Sequence, residues 1–226
     1  MRHRAPDSGG PPRGKVAVIH YVPQSDDAEA NVGIQSFQAS GLVTCPAGRT
    51  TEVQWSGPVE RPRVNTLVAR TPGYILSAEV PSAPAAYRLV ITTERTEGYP
   101  WSTATRTEWG FTFSATTAGE VRQLPLVQVD YGIRTASDGK ADRDAELLVT
   151  PSHIAGASVA AVRTDRVELS YDDGRTWRRA TLSSPARGAL TRLHAPAAGC
   201  LSLRVHASDA RGNTVTQTVI RATGAR

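Results

Sequence analysis

Lysine is nearly missing from this chain. Lys15 and Lys140 are the only two, so the 26 cationic side chains behind a formal charge of +5 are otherwise arginines. The arginines are dispersed among acids, as in Arg166-Val167-Glu168 and Asp142-Arg143-Asp144. No uninterrupted basic block follows a phosphate backbone, and nucleic-acid binding is not expected. Long apolar runs are missing too. Val16 to Ile19 is the longest near the start, far short of the roughly 18 residues of a membrane-spanning helix, so membrane insertion is not expected. Arginines at positions 2, 4 and 13 are not followed by the roughly 7 to 15 apolar residues of a signal peptide, and no export signal is expected. The only cysteines, Cys45 and Cys200, are too few for a disulfide framework and have no Cys or His at ligand spacing. Both are expected to be unpaired and buried, with no metal site and no cofactor. Apolar residues at helical period between cap signals are absent, as is any fixed long repeat, which excludes substantial helix, propellers and solenoids.

What is present is strand pattern. At 39% apolar residues the chain has enough to pack, so wholesale disorder is excluded. Residues 1–14 combine Gly, Pro and charge without period and are expected to be a flexible tail. Short strand-like runs follow over 16–22, 32–39, 52–55, 66–70, 74–80, 87–93 and 105–114. Tyr87, Leu89 and Ile91 alternate with Arg88, Val90 and Thr92, and Trp109, Phe111 and Phe113 repeat the period, marking a strand that anchors a first core. The pattern breaks around Thr116 to Glu120 and restarts at Leu124. Further runs occupy 146–150, 159–163, 167–171, 176–182, 190–194, 201–207 and 214–221. In the cleanest, Leu201, Leu203 and Val205 point inward and Ser202, Arg204 and His206 outward. The expected fold is all-β: two tandem β-sandwich domains, 15–118 and 119–226, the second immunoglobulin- or fibronectin type III-like.

Two hairpins carry the strongest motifs. Ser170, Asp172, Gly174, Thr176 and Trp177 spell Ser-x-Asp-x-Gly-x-Thr-Trp, which resembles the Asp-box hairpin of sialidases and other propeller proteins. Asp172 is expected to accept turn N–H groups, Gly174 to supply positive φ and Trp177 to wedge into the core. A sialidase needs a copy per blade and here there is one, so the reading is structural. Asp209, Gly212 and Asn213 form a second such turn, resembling the last hairpin of bacterial immunoglobulin-like and fibronectin type III-like modules.

Chemistry is harder to find. Five histidines (His3, His20, His153, His194 and His206) would each need a nucleophile and an acid to form a triad, and no local feature supports one; His206 reads as a solvated strand residue. Gly156 to Ala160 lacks the second Gly of a nucleophile elbow. Asp138 to Asp144 concentrates carboxylates but fails the calcium-loop spacing, and reads as an exposed loop. Tyr99, Trp101 and Tyr171 are candidate stacking residues for a glycan, with the turn Tyr99-Pro100-Trp101 open to a packed role instead.

Tyr87-Arg88-Leu89, Thr105 to Phe111, Leu124 to Tyr131, Val167 to Trp177 and Ser202 to Ala222 together resemble the C-terminal, non-catalytic region of actinobacterial secreted subtilisin-like serine peptidases. The likeness spans residues 85–226. It implies an extracellular setting and a peptidase catalytic domain or protein substrate as partner. The family's catalytic motifs are absent: no His is followed by Gly, Gly-Thr-Ser does not occur, and Asp7-Ser8-Gly9 lies in the tail. The resemblance therefore implies a non-catalytic accessory module without its enzyme, with carbohydrate or cell-wall binding as the alternative.

Overall fold

Alternating burial follows the alternating sequence. Thr105, Thr107, Trp109, Phe111 and Phe113 are buried along one strand while their neighbours are exposed or half-buried, the two-residue period of a sheet with one face on a core. The computed structural model describes residues 83–94, 100–114, 123–154, 156–157, 160–184, 188–197 and 199–226, and gives the strand path alone at 14–15, 20–23, 35–38, 49–56, 67–69, 79–80 and 95. The strands are β1 Gly14–Lys15, β2 His20–Pro23, β3 Gln35–Gln38, β4 Arg49–Ser56, β5 Leu67–Ala69, β6 Glu79–Val80, β7 Ala85–Arg95 and β8 Ala104–Phe113. They continue as β9 Val127–Ile133, β10 Lys140–Ala141, β11 Glu146–His153, β12 Val162–Ser170, β13 Arg178–Arg179, β14 Ala189–Arg192, β15 Cys200–Asp209 and β16 Thr214–Ala225. No helix occurs among the described residues, and the chain is all-β.

The large sheet runs β13-β12-β15-β16-β8-β7-β4-β5, with β10 parallel to the end of β16; a small antiparallel sheet runs β14-β11-β9. One apolar cluster joins them. Leu89, Ile91, Trp109 and Phe111 from β7 and β8 share it with Val127, Leu147, Val167, Leu203 and Val219. Trp109 Nε1 donates 2.7 Å to the carbonyl of Val127, tying the large sheet to the small one through a buried bond.

Strands from both sides of the boundary expected at 118/119 share the large sheet. Thr214 to Ile220 of β16 pair with Gly110 to Ala104 of β8, so the strand expected to anchor a first core packs in the same core as the second half. The open edge of β16 explains this: a final strand offers unpaired backbone groups, and β8 satisfies them. Two further expectations change. A single strand, β12 at Val162–Ser170, takes in parts of both runs expected at 159–163 and 167–171, with a bulge between Thr164 and Arg166, and 176–182 contracts to the two residues of β13.

Ser202 is buried, not outward. Between the pairs Leu201↔Thr223 and Leu203↔Val219, β16 sets Ile220, Arg221 and Ala222 against this one residue. Arg221 takes φ +53°, its N–H donates to Ser202 Oγ at 3.0 Å, and the Ile220 and Arg221 carbonyls accept Thr103 and Ser102 N–H groups. A bulge turns side chains off the ladder's alternation, and here it also ties down the start of β8.

Candidate functional site

The Asp-box hairpin joins β12 to β13. Asp172 Oδ1 accepts the Thr176 N–H at 2.9 Å and the Ser170 hydroxyl at 2.7 Å, while the Thr176 hydroxyl donates to Oδ2. Ser170 Oγ in turn accepts the Gly174 N–H at 2.9 Å. These bonds, led by the Thr176 hydroxyl, hold the Asp172 carboxyl far below the usual carboxylate range. Gly174 takes φ +81°, which the backbone reserves for glycine, and a Cβ there would also have to displace the tip of Ile220, whose Cδ1 it would meet at 2.8 Å. Asp173, at φ +59°, receives both nitrogens of a fork from Arg221, each 2.8 Å. The three non-glycine residues with positive φ among those described, Ser102, Asp173 and Arg221, are therefore linked at one corner.

Trp177 does not enter the core. It is half-buried, with the Arg204 guanidinium 4.1 Å above its ring, a cation–π contact. It lies on the outer face of the large sheet because the turn delivers it beside Arg204 of β15.

The second hairpin, between β15 and β16, is a buried polar junction. Asp209 Oδ1 accepts the N–H groups of Arg211 (2.8 Å) and Asn213 (2.9 Å). Its Oδ2 accepts the Asn213 side-chain amide (2.7 Å) and His153 Nε2 (2.9 Å). The two side chains of the His153–Asp209 pair are 6% and 0% exposed. Asn213 Oδ1 then accepts the Thr112 N–H of β8, and Gly212 supplies φ +83°. Burial raises the Asp209 pKa, but hydrogen bonds from Asn213 and His153 outweigh it and leave the carboxyl below its ordinary range. His153 was visible in sequence only as one of five histidines; nothing local marks its partner.

A second imidazole–carboxylate pair lies on the outer face. His206 Nδ1 sits 3.1 Å from Asp165 Oδ2, so His206 is paired, not simply solvated. Asp165, at the β12 bulge, also takes a bond from the Ser208 hydroxyl and one from Arg163. The carboxylate stands between serine and imidazole, an order opposite to a triad, where imidazole must take the serine proton.

Two of the three aromatic candidates are occupied by the chain itself. Trp101 lies over Gly224, where an added Cβ would come within 2.4 Å of its ring, and its Nε1 donates to the Asp138 carbonyl at 3.2 Å; it is the packed turn. The Tyr171 hydroxyl accepts the His194 N–H at 3.2 Å and the ring packs against the core. Tyr99 and Cys45 lie outside the described residues. Cys200 is a free, half-buried thiol at the start of β15, not the buried one expected. In the acidic loop, Asp138 pairs with Lys140 and Asp142 with Arg226, and no cluster of metal-ligating side chains occurs among the described residues.

Sequence reasoning missed the outer face of the large sheet. Glu168 lies 3.5 Å from both Arg166 and Arg204, and Glu108 lies 2.6 Å from Arg88 and 2.8 Å from Arg106. Each glutamate is flanked by two arginines. The hydrogen bond from Arg88, despite opposing desolvation, holds Glu108 below its usual range. Alternation set Arg88 and Arg204 off the core face in sequence, but only the strand order brings these charges together. Searches against protein-family models, curated proteins and solved structures find no match for this chain.

Proposed function

We propose that this chain is a non-catalytic, extracellular accessory body of a subtilisin-like serine peptidase, stabilising the enzyme or docking its substrate. The strand order carries the reading. Three strands, β14-β11-β9, face β13-β12-β15-β16, an order that supports an immunoglobulin- or fibronectin type III-like module of A-B-E on C′-C-F-G type. The hairpin β7–β8 continues that module's sheet on its last strand, which supports a body built for stacking in series with neighbours. Further support comes from where the acids are used: Asp172 and Asp209 are committed to turn N–H groups. Such a body can slow the unfolding of an attached enzyme or offer a sheet edge or face to a protein substrate. Glycan binding has less support, because Trp101 and Tyr171 already serve the chain's own packing.

The test fuses the chain behind a subtilisin-like catalytic domain and compares it with that domain alone. A longer half-life at raised temperature, or a lower KM for casein, is expected; no change in either defeats the reading. Incubating the unfused chain with a peptide library is the second arm. Cleavage abolished by His153→Ala or His206→Ala would overturn the non-catalytic assignment.

A further inference from the structure

We infer that the outer face of β12 and β15, together with the edge strand β13, docks an acidic polypeptide segment in extended conformation. The inference deepens the accessory reading by naming a partner class, and rests on it. Charge imbalance is the first observation. Register puts Arg179 opposite Glu168 and Glu168 opposite Arg204, and Arg166 lies 3.5 Å from the same glutamate, so three arginines surround one acid. Arg178 and Arg179 of β13 are exposed and form no ion pair among the described residues. Arg163 with Asp165, and Arg221 with Asp173, are internally balanced pairs on the same side. The opposite outer face, on the small sheet, differs: register there puts Glu146 opposite Arg192 and Asp130 opposite Thr150. One face of the body is cationic and the other is not.

The open edge is the second observation, and it selects a polypeptide. β13 ends the strand order on its side of the large sheet, so its outer backbone groups can take an added strand. A phosphate polymer can satisfy guanidinium groups but cannot extend a β-ladder. In an extended acidic segment, alternate carboxylates would meet Arg179 and Arg166, which stands 47% exposed beside its glutamate, while Arg178, opposite Leu169 and so turned to the other face, would meet an intervening one.

The experiment uses the full chain with poly-L-glutamate as probe, poly-L-lysine as the opposite-sign control and polyphosphate of matched charge as the non-peptide control. Binding to poly-L-glutamate that weakens with salt is expected, and the double variant Arg178→Glu/Arg179→Glu should weaken it by roughly tenfold or more. Arg192→Glu, the same change of sign on the small sheet, should leave it within about twofold, and a thermal melt checks that each variant folds. No binding of poly-L-glutamate, equal loss with Arg192→Glu, or tighter binding of polyphosphate would each overturn the inference. Those failures leave the accessory reading standing, because that reading falls on the fusion and cleavage assays instead.

Discussion

Replacing Asp209 with Ala removes the acceptor at the centre of the buried junction between β11, the last hairpin and β8. Four N–H groups lose their partner: those of Arg211 and Asn213, the Asn213 amide and His153 Nε2. Arg211 is exposed, so water can serve its N–H. The other three have no such recourse, since Asn213 is 4% exposed and the His153 side chain 6%. A buried donor left unsatisfied costs about 1–3 kcal/mol, and breaking a buried pair from one side costs about 3–5 kcal/mol. We expect a loss of about 3–5 kcal/mol, a fall in melting temperature of roughly 6–20 °C for a chain of this size. Circular dichroism with guanidinium titration measures it. Asp209→Asn keeps the shape and one acceptor for the turn, but sets its own amide against the donors of His153 and Asn213, so it should fall between Ala and wild type. A loss below about 1 kcal/mol for Asp209→Ala would show that the junction is not buried as described, and would refute the reasoning.

Acid should act on the same residue. The folded pKa of Asp209 lies below its ordinary value, so the folded state binds fewer protons and the contribution is present above the unfolded pKa of about 3.9. It is lost as pH falls through the folded pKa, and a urea midpoint measured from neutral to acid pH should drop less steeply in Asp209→Asn than in wild type. Gly174→Ala and Gly212→Ala separate crowding from backbone strain: both need positive φ, but Gly212 has nothing within 4 Å of an added Cβ. Gly212→Ala should cost about 1 kcal/mol and Gly174→Ala about 1–3 kcal/mol more, and equal losses by denaturant titration would contradict the contact with Ile220. Trp109→Phe removes the donor to the buried Val127 carbonyl and should cost about 2 kcal/mol or more; a neutral change would mean that the link between sheets is not made.

The cationic face and the two hairpins have different physical origins. In the hairpins, carboxylates bind N–H groups two to four positions away, and their charge is consumed locally. On the sheet face, charges meet across strands, where each exposed pair contributes little to stability, at most about 1 kcal/mol. Arginine there is available for recognition at small cost to the fold.

Local geometry is what the amino-acid sequence determined unaided. Two-residue alternation marked β7, β8, β15 and most of β16, because burial on one face is a property of a strand by itself. Asp172 with Gly174, and Asp209 with Gly212, marked their turns, because the bonds that close them span only a few residues. Tertiary structure decided what depends on pairing. His153 meets Asp209 across 56 positions and Arg221 meets Asp173 across 48, and β8 pairs with β16 from the far side of the sequence boundary expected at 118/119. Backbone groups on an unpaired edge accept any strand of suitable register, so no local pattern says which strand fills it. The same indifference hid the arginine-flanked glutamates: each residue reads as an ordinary outward charge until the order of strands sets them side by side.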